Sequence, residues 1–114
     1  MDSRISAIIS KSLDGLMMRS MATAQNIANA NSPNYRPLRV SFESELKAAA
    51  ETSDFALQSI QFRAVQAPPA SGSTAQRIDL ELATASETAL RYGALVDVLS
   101  RELQLQRTLI RGGQ

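Results

Sequence analysis

Residues 79–113 read DLELATASETALRYGALVDVLSRELQLQRTLIRGG, and this stretch decides the fold class. Leu82, Ala85, Ala89, Tyr92, Val96, Leu99, Leu103 and Ile110 recur at steps of three, four and seven, which is helical periodicity. A second apolar row, Leu95, Val98, Leu105 and Leu109, runs beside the first. Asp79 is the expected N-cap, and Glu81 would place negative charge in the first turn, where the helix dipole favours it. Gly112 and Gly113 mark the end, with Arg107 and Arg111 near the last carbonyls. One helix running to about Ile110 would be on the order of 45–50 Å long. Two apolar rows make a wider face than a two-helix seam needs. One row can be covered by a second helix; the other calls for a partner from the middle of the chain or from another chain.

The second helix is at the other end. Ile5, Ile8, Ile9, Leu13, Leu16, Met17, Ser20, Ala24, Ile27 and Ala28 follow the same period. Asp2 or Ser3 can cap its start, and Gly15 is a mild cost inside it. Met17, Met18 and Met21 surround the helix, and such residues serve as core filler or as a partner surface, core being the commoner use. The helix should stop near Asn29 to Asn31, because Pro33 disfavours helical angles at Ser32. Ser32-Pro33-Asn34-Tyr35 reads as a β-turn, with types I and II both open.

Beyond the turn, PLRVSFE alternates Leu38, Val40 and Phe42 with Arg39, Ser41 and Glu43, as a short half-buried strand does. ESELKAAAE can form a helical turn or two. FALQSIQFRAV alternates in part, like a hairpin arm, and QAPPASGSTAQ has the composition of a loop. The expected architecture is one mainly α domain over residues 1–114. Terminal helices at 1–31 and 79–111 pair as a coiled-coil-like hairpin, and residues 32–78 form an elbow and an irregular or short-β middle. Bulky apolar residues gather towards the ends, so the monomeric core is expected to be thin. Arg outnumbers Lys, which suits pairing with carboxylates or reflects composition alone.

Composition narrows the chemistry. The chain has no Cys and no His, so thiol catalysis, disulfides, the usual zinc sites and imidazole bases are excluded. No cofactor, metal or catalytic residue is expected. Glu43/Glu45 and Asp79/Glu81 are spaced by two and do not face each other on a helix, so solvated or capping roles are expected of them. There is no Gly-rich phosphate loop. The net charge of +1 with only Tyr35 and Tyr92 as tyrosines gives no nucleic-acid platform. No apolar run reaches a membrane span, and the N-terminus lacks the order of a cleaved secretory signal.

Residues 26–35 read NIANANSPNY. This stretch resembles the N-x-A-N-x-x-T-P-G-Y signature of bacterial flagellar rod and hook proteins of the axial family, where it also follows the N-terminal helix. Asn26, Ala28, Asn29, Pro33 and Tyr35 fall on the signature; Ser32 stands where Thr is usual and Asn34 where Gly is usual. Asn enters the left-handed region at modest cost. VSFESEL and the segment IDLELATASETALRYGALVDVLSRELQLQRTLIRG, with its Arg91-Tyr92 pair, are similar to the proximal rod family FlgB. The likeness covers about residues 10–45 and 78–112.

The resemblance implies a structural subunit of the proximal rod, polymerising through its terminal helices into a hollow shaft. It implies export by the flagellar type III route without a cleaved signal, and a periplasmic location in the basal body. Its partners would be other copies of the chain, other rod proteins and the membrane-ring and export-gate base, with no nucleic acid or small-molecule substrate. The elbow residues Asn26, Ala28, Asn29, Asn31, Ser32, Pro33, Asn34 and Tyr35 would serve assembly. Ile9, Leu13, Leu16, Tyr92, Leu95, Val96, Leu99, Leu103, Leu105 and Leu109 would make the helix pairing and subunit interfaces. Within the pairing, Val96, Leu99 and Leu103 are expected to face the N-terminal helix, and Leu95, Leu105 or Leu109 other subunits. The alternatives are another proximal rod subunit, FlgC-like, or a small helical adaptor or export chaperone.

Overall fold

The computed structural model describes residues 3–69 and 71–112. Helix α1 is Ser3–Ala28, strand β1 Leu38–Arg39, helix α2 Glu43–Thr52, helix α3 Asp54–Ser59, strand β2 Val65–Gln66 and helix α4 Thr74–Gly112. The chain is mainly α, as expected, with the two long terminal helices packed together. Asp2 as a possible cap lies outside the described residues, as does Gly113. The molecule measures 63 × 27 × 15 Å, and α4, at 39 residues, accounts for about 58 Å of the long axis.

α4 starts at Thr74, not at Asp79. The cap is a reciprocal pair: Ser73 Oγ accepts from the Gln76 amide at 3.2 Å, and Gln76 Oε1 accepts from the Ser73 amide at 2.9 Å. That is a capping box in the S-x-x-Q form, which satisfies two donors at once. Gly72, at φ +93°, supplies the backbone turn into it that other residues resist. The earlier start moves Glu81 out of the first turn and into the body of the helix.

α1 and α4 run antiparallel. Asn26 meets Glu81 and Ala30 meets Arg77, so each step forward in α1 is a step back in α4, and Ser12 and Leu16 lie with Ala94 and Leu95. This register fixes the inward stripe of α4. Glu81, Ala85, Thr88, Tyr92, Leu95 and Leu99, in alternating steps of four and three, are buried or half-buried, and the half-buried Glu102 and Gln106 continue the row. The first apolar row read from the sequence straddles that stripe: Ala85, Tyr92 and Leu99 belong to it, whereas Leu82, Val96, Leu103 and Ile110 are exposed. Leu95 is inward, packed against the core. The expected division of the two faces is therefore corrected at Val96, Leu103 and Leu95. The inward stripe is partly polar, and apolarity alone pointed to its flank.

The core is also not where the composition placed it. Leu16 and Ala22 of α1 pack with Val40, Phe42, Leu46, Leu57 and Phe62, so most of the buried bulk comes from the middle segment. Leu57 is 1% exposed, and burying such a side chain contributes about 1.5–3 kcal/mol. Phe42 and Phe62 meet with ring centroids 5.4 Å apart, tilted by 48°. The Phe42 ring lies directly on α1 at Gly15. A Cβ at Gly15 would stand 2.4 Å from Phe42 Cγ, which explains a glycine whose helix propensity is poor.

ESELKAAAE does form helix, as α2. The hairpin arm expected in FALQSIQFRAV is split. Its first half is helix α3, capped by Ser53 Oγ accepting from the Ala56 amide at 3.0 Å. Its end is β2, antiparallel to β1 with Leu38 opposite Gln66 and Arg39 opposite Val65. The expected strand thus shrinks to two residues, and Val40 and Phe42 are buried by helix contacts instead. Long cations on α1 fasten the middle segment through its carbonyls. Arg4 donates to Ala50 O, Lys11 to Ile60 O at 3.0 Å and Arg19 to Val40 O at 2.6 Å. Such bonds tie the short elements of the middle segment to α1.

Candidate assembly elbow

The elbow starts where α1 ends. Asn29 Nδ2 donates to the Gln25 carbonyl at 3.0 Å, and its Oδ1 accepts from Ser32 Oγ at 3.3 Å. The Asn29 backbone amide donates to the same Gln25 carbonyl at 3.0 Å, so main chain and side chain of Asn29 together close the last turn of the helix. The chain then reverses through Ser32–Tyr35, with the Tyr35 amide donating to Ser32 O at 3.3 Å. Asn34 has φ +61°. A positive φ at the third position, after a proline, selects the type II turn. Asn31, Ser32, Pro33 and Asn34 lie exposed at the tip, and Ala28 is exposed on the last turn of α1.

Beneath the tip is a buried network centred on Asn26, which is 4% exposed. Its Oδ1 accepts from the Tyr35 hydroxyl at 2.9 Å and from the Leu38 amide at 2.8 Å. Its Nδ2 donates to Leu38 O at 2.9 Å and to Glu81 Oε2 at 3.2 Å. The side-chain amide thereby uses both its hydrogens and both its lone pairs. It also answers the N–H and the C=O of Leu38, as a neighbouring strand would, and so closes the edge of β1 that β2 does not cover.

Glu81 is the second member, 5% exposed. Its other oxygen, Oε1, accepts from Arg39 Nη1 at 2.6 Å. Burial of a carboxylate costs free energy unless it is paired and hydrogen-bonded, and here it is both. Glu81 thus has neither the solvated nor the capping role expected of it. It joins α4 to the elbow and to β1. Its signal in the sequence is its place on the three-and-four stripe with Ala85, Thr88 and Tyr92, a charged residue on an inward face. Arg77, one turn earlier in α4, donates to Ala30 O at 3.1 Å and fastens the elbow from the other side. Between elbow and α4 is an open groove of about 460 Å³, lined by Tyr35, Pro37, Pro69, Ser71 and Leu80 among others.

A second junction holds the waist of the molecule. Arg19 grips Glu43 with both ends of its guanidinium, at 2.9 and 2.6 Å, and lies over the Phe42 ring with Cζ 4.9 Å from its centroid. Arg91 of α4 reaches the same carboxylate at 3.4 Å. The Arg19 hydrogen bonds hold the Glu43 carboxyl below its ordinary value; partial burial opposes them, and the charges of Arg19 and Arg91 add to the lowering. The arginines that composition left open between carboxylate pairing and bias are, at positions 19, 39 and 91, paired with carboxylates inside the chain.

The residues expected to mediate helix pairing and assembly divide cleanly. Ile9 and Leu16 are buried, and Leu13, Tyr92, Leu95 and Leu99 half-buried. Val96, Leu103, Leu105 and Leu109 are exposed. Met17 and Met21 are also exposed, whereas Met18 packs against the core, so the methionines serve both of the uses left open for them. Among the described residues no helix is long and apolar enough to cross a membrane, and no group of three or more acidic side chains is placed to hold a metal ion. No protein-family model, curated protein or solved structure matches the chain.

Proposed function

We propose that this chain is a structural subunit of the proximal rod of the bacterial flagellum, one that polymerises through its terminal helices. The observation that carries the reading is the elbow. The signature residues Asn26 and Tyr35 meet in one buried network, and the Pro33-Asn34 turn presents the rest of the motif on the surface. A stop signal alone has no use for a buried amide that joins α1, β1 and α4. The long hairpin adds a second support. Its helices keep Met17, Met21, Leu82, Val96 and Leu103 exposed, large apolar side chains left for a partner helix to cover.

On this reading the chain has no catalytic role, and its partners are other copies, other rod proteins and the base of the flagellum in the periplasm. Sedimentation and negative-stain microscopy of the purified chain, alone and with other rod proteins, test it. Concentration-dependent elongated or tubular assemblies are expected. A discrete dimer at every concentration, unchanged by rod proteins, would refute it in favour of an adaptor or chaperone.

A further inference from the structure

The two-stranded sheet has two outer edges, and the fold closes one of them. The Ala67 amide donates to Pro37 O at 2.8 Å. With Leu38 opposite Gln66 and Arg39 opposite Val65, the bonded pairs are therefore Pro37–Ala67 and Arg39–Val65. Leu38 and Gln66 turn their main-chain groups outward, on opposite sides, as alternate residues of an antiparallel pair do. On the β1 side Asn26 answers both the N–H and the C=O of Leu38. On the β2 side the same two groups of Gln66 have no partner among the described residues, and Gln66 is exposed. An open strand edge is a template for a further strand.

The side chains around this edge define what it can accept. They alternate across the sheet: Leu38, Val40 and Phe62 turn to the core, and Arg39, Ser41, Arg63 and Val65 to solvent. The solvent side holds a cleft of about 260 Å³ along β2, in which Glu45 is the one carboxylate among the described residues. Arg39 spends only Nη1, on Glu81 and the Leu38 carbonyl. Its Nε–Nη2 edge, the kind of edge that takes a carboxylate through two parallel bonds, has no partner among the described residues, and neither has Arg63. Two guanidinium groups thus face solvent against one carboxylate. Such a face repels a second copy of itself and complements acidic side chains. No aromatic side chain lines the cleft, so it offers nucleic-acid bases nothing to stack on.

We propose that the outer edge of β2 binds an acidic, extended segment of a partner protein. The segment adds a third strand through the Gln66 main chain and sets carboxylates on Arg63 and Arg39. This surface is separate from the terminal helices, so the contact does not depend on polymerisation through them.

The test uses the full chain and a short fluorescein-labelled peptide alternating Thr and Glu, followed by anisotropy at low salt. Saturable binding that weakens as salt rises is expected, with none for the same peptide carrying Lys in place of Glu. Arg63→Glu should weaken binding roughly tenfold, because it reverses a charge at the contact. Gln66→Pro removes only the outward N–H, a change that an edge strand accepts. It should weaken binding about fivefold, the worth of one main-chain hydrogen bond. Circular dichroism should show both variants folded, and the peptide should slow exchange of the Gln66 amide in the unaltered chain. Binding indifferent to Gln66→Pro, with Gln66 exchange unchanged, would overturn the added strand. No binding at low salt, equal binding of the Lys peptide, or tighter binding of labelled oligodeoxythymidine would overturn the acidic partner.

Discussion

At Asn26 all four hydrogen-bonding positions of one amide are used, and three of the four bonds hold the elbow and β1. Asn29, three residues on, spends its amide on its own helix end. The two look alike in the sequence, on one helix face beside apolar neighbours. The structure separates them, because only position 26 lies under Tyr35 and against α4. Asn26→Ala should cost about 2–4 kcal/mol, since it strands the Leu38 N–H and C=O and leaves Glu81 with a lost donor. Asn29→Ala should stay within about 0.5 kcal/mol, because its bonds are exposed and Ala is the better helix former. Urea unfolding of the two variants checks both, and equal losses would remove the distinction. The motif was thus readable at Asn26, but its partner was not. Glu81 is 55 positions away, and only the inward stripe, whose register depends on α1, reveals it.

At the scale of the element, periodicity found α1 and α4, started α4 five residues late, and misjudged which side of α4 turns inward. Eight apolar positions outvoted a stripe that contains Glu81 and Thr88, yet the polar stripe is the buried one because its polar atoms are bonded. Thr88 Oγ1 donates to Thr84 O at 2.7 Å. The start of α4 was legible too, in Ser73 and Gln76, but was masked by the loop-like composition around it. The corrected faces give a paired expectation. Leu95→Ala removes a side chain packed on the Phe42 cluster and should destabilise by about 1–2 kcal/mol. Val96→Asp, on the exposed flank, should leave the midpoint of thermal unfolding within a few degrees and yet suppress self-association in sedimentation. The reverse pattern would restore the face assignment read from the sequence.

The junction between elements carries a pH dependence with a definite sign. Glu43 bonds Arg19 of α1 and Arg91 of α4 from the first turn of α2. Its folded value is lowered below that of an ordinary carboxylate, first by the Arg19 hydrogen bonds. A depressed carboxylate contributes stability that is present above its unfolded value and lost as pH falls through the folded one. Stability should therefore be flat from neutral pH to about 5 and decline below it. The side chain is about half exposed, so solvent screening keeps the loss modest. In Glu43→Gln the part of the decline due to this group should vanish. An acid limb identical in the two proteins, followed by urea titration from pH 6 to 3, would exclude Glu43 as its source.

Across the whole molecule the interactions are distributed unevenly along the 63 Å axis. The elbow end has the Asn26–Glu81 network, Arg77 on the Ala30 carbonyl, and the capped start of α4. The waist has the Phe42 cluster and the Arg19–Glu43–Arg91 junction. Towards the far end the cover thins: Ile5 is 47% exposed, Leu103 as much, and Leu109 65%. The composition led to the expectation of a thin monomeric core, but the middle segment supplies Val40, Phe42, Leu46, Leu57 and Phe62 to it. Local opening free energy follows buried contacts and bonded backbone, so protection should fall along α4 in steps rather than uniformly. In hydrogen exchange on the dilute chain, amides from Glu81 to Leu95 and those of α1 from Leu16 to Asn26 should exchange slowest. Amides from Leu105 to Gly112 should exchange at nearly the rate of an isolated helix end, because a helix without packing on its apolar face is marginal in water. Assembly should then protect this last segment selectively, leaving the elbow half little changed. Uniform protection to Gly112 in the dilute chain would show that the last turns of α4 need no partner, and equally fast exchange at Asn26 and Leu109 would show that the elbow network does not hold the hairpin together.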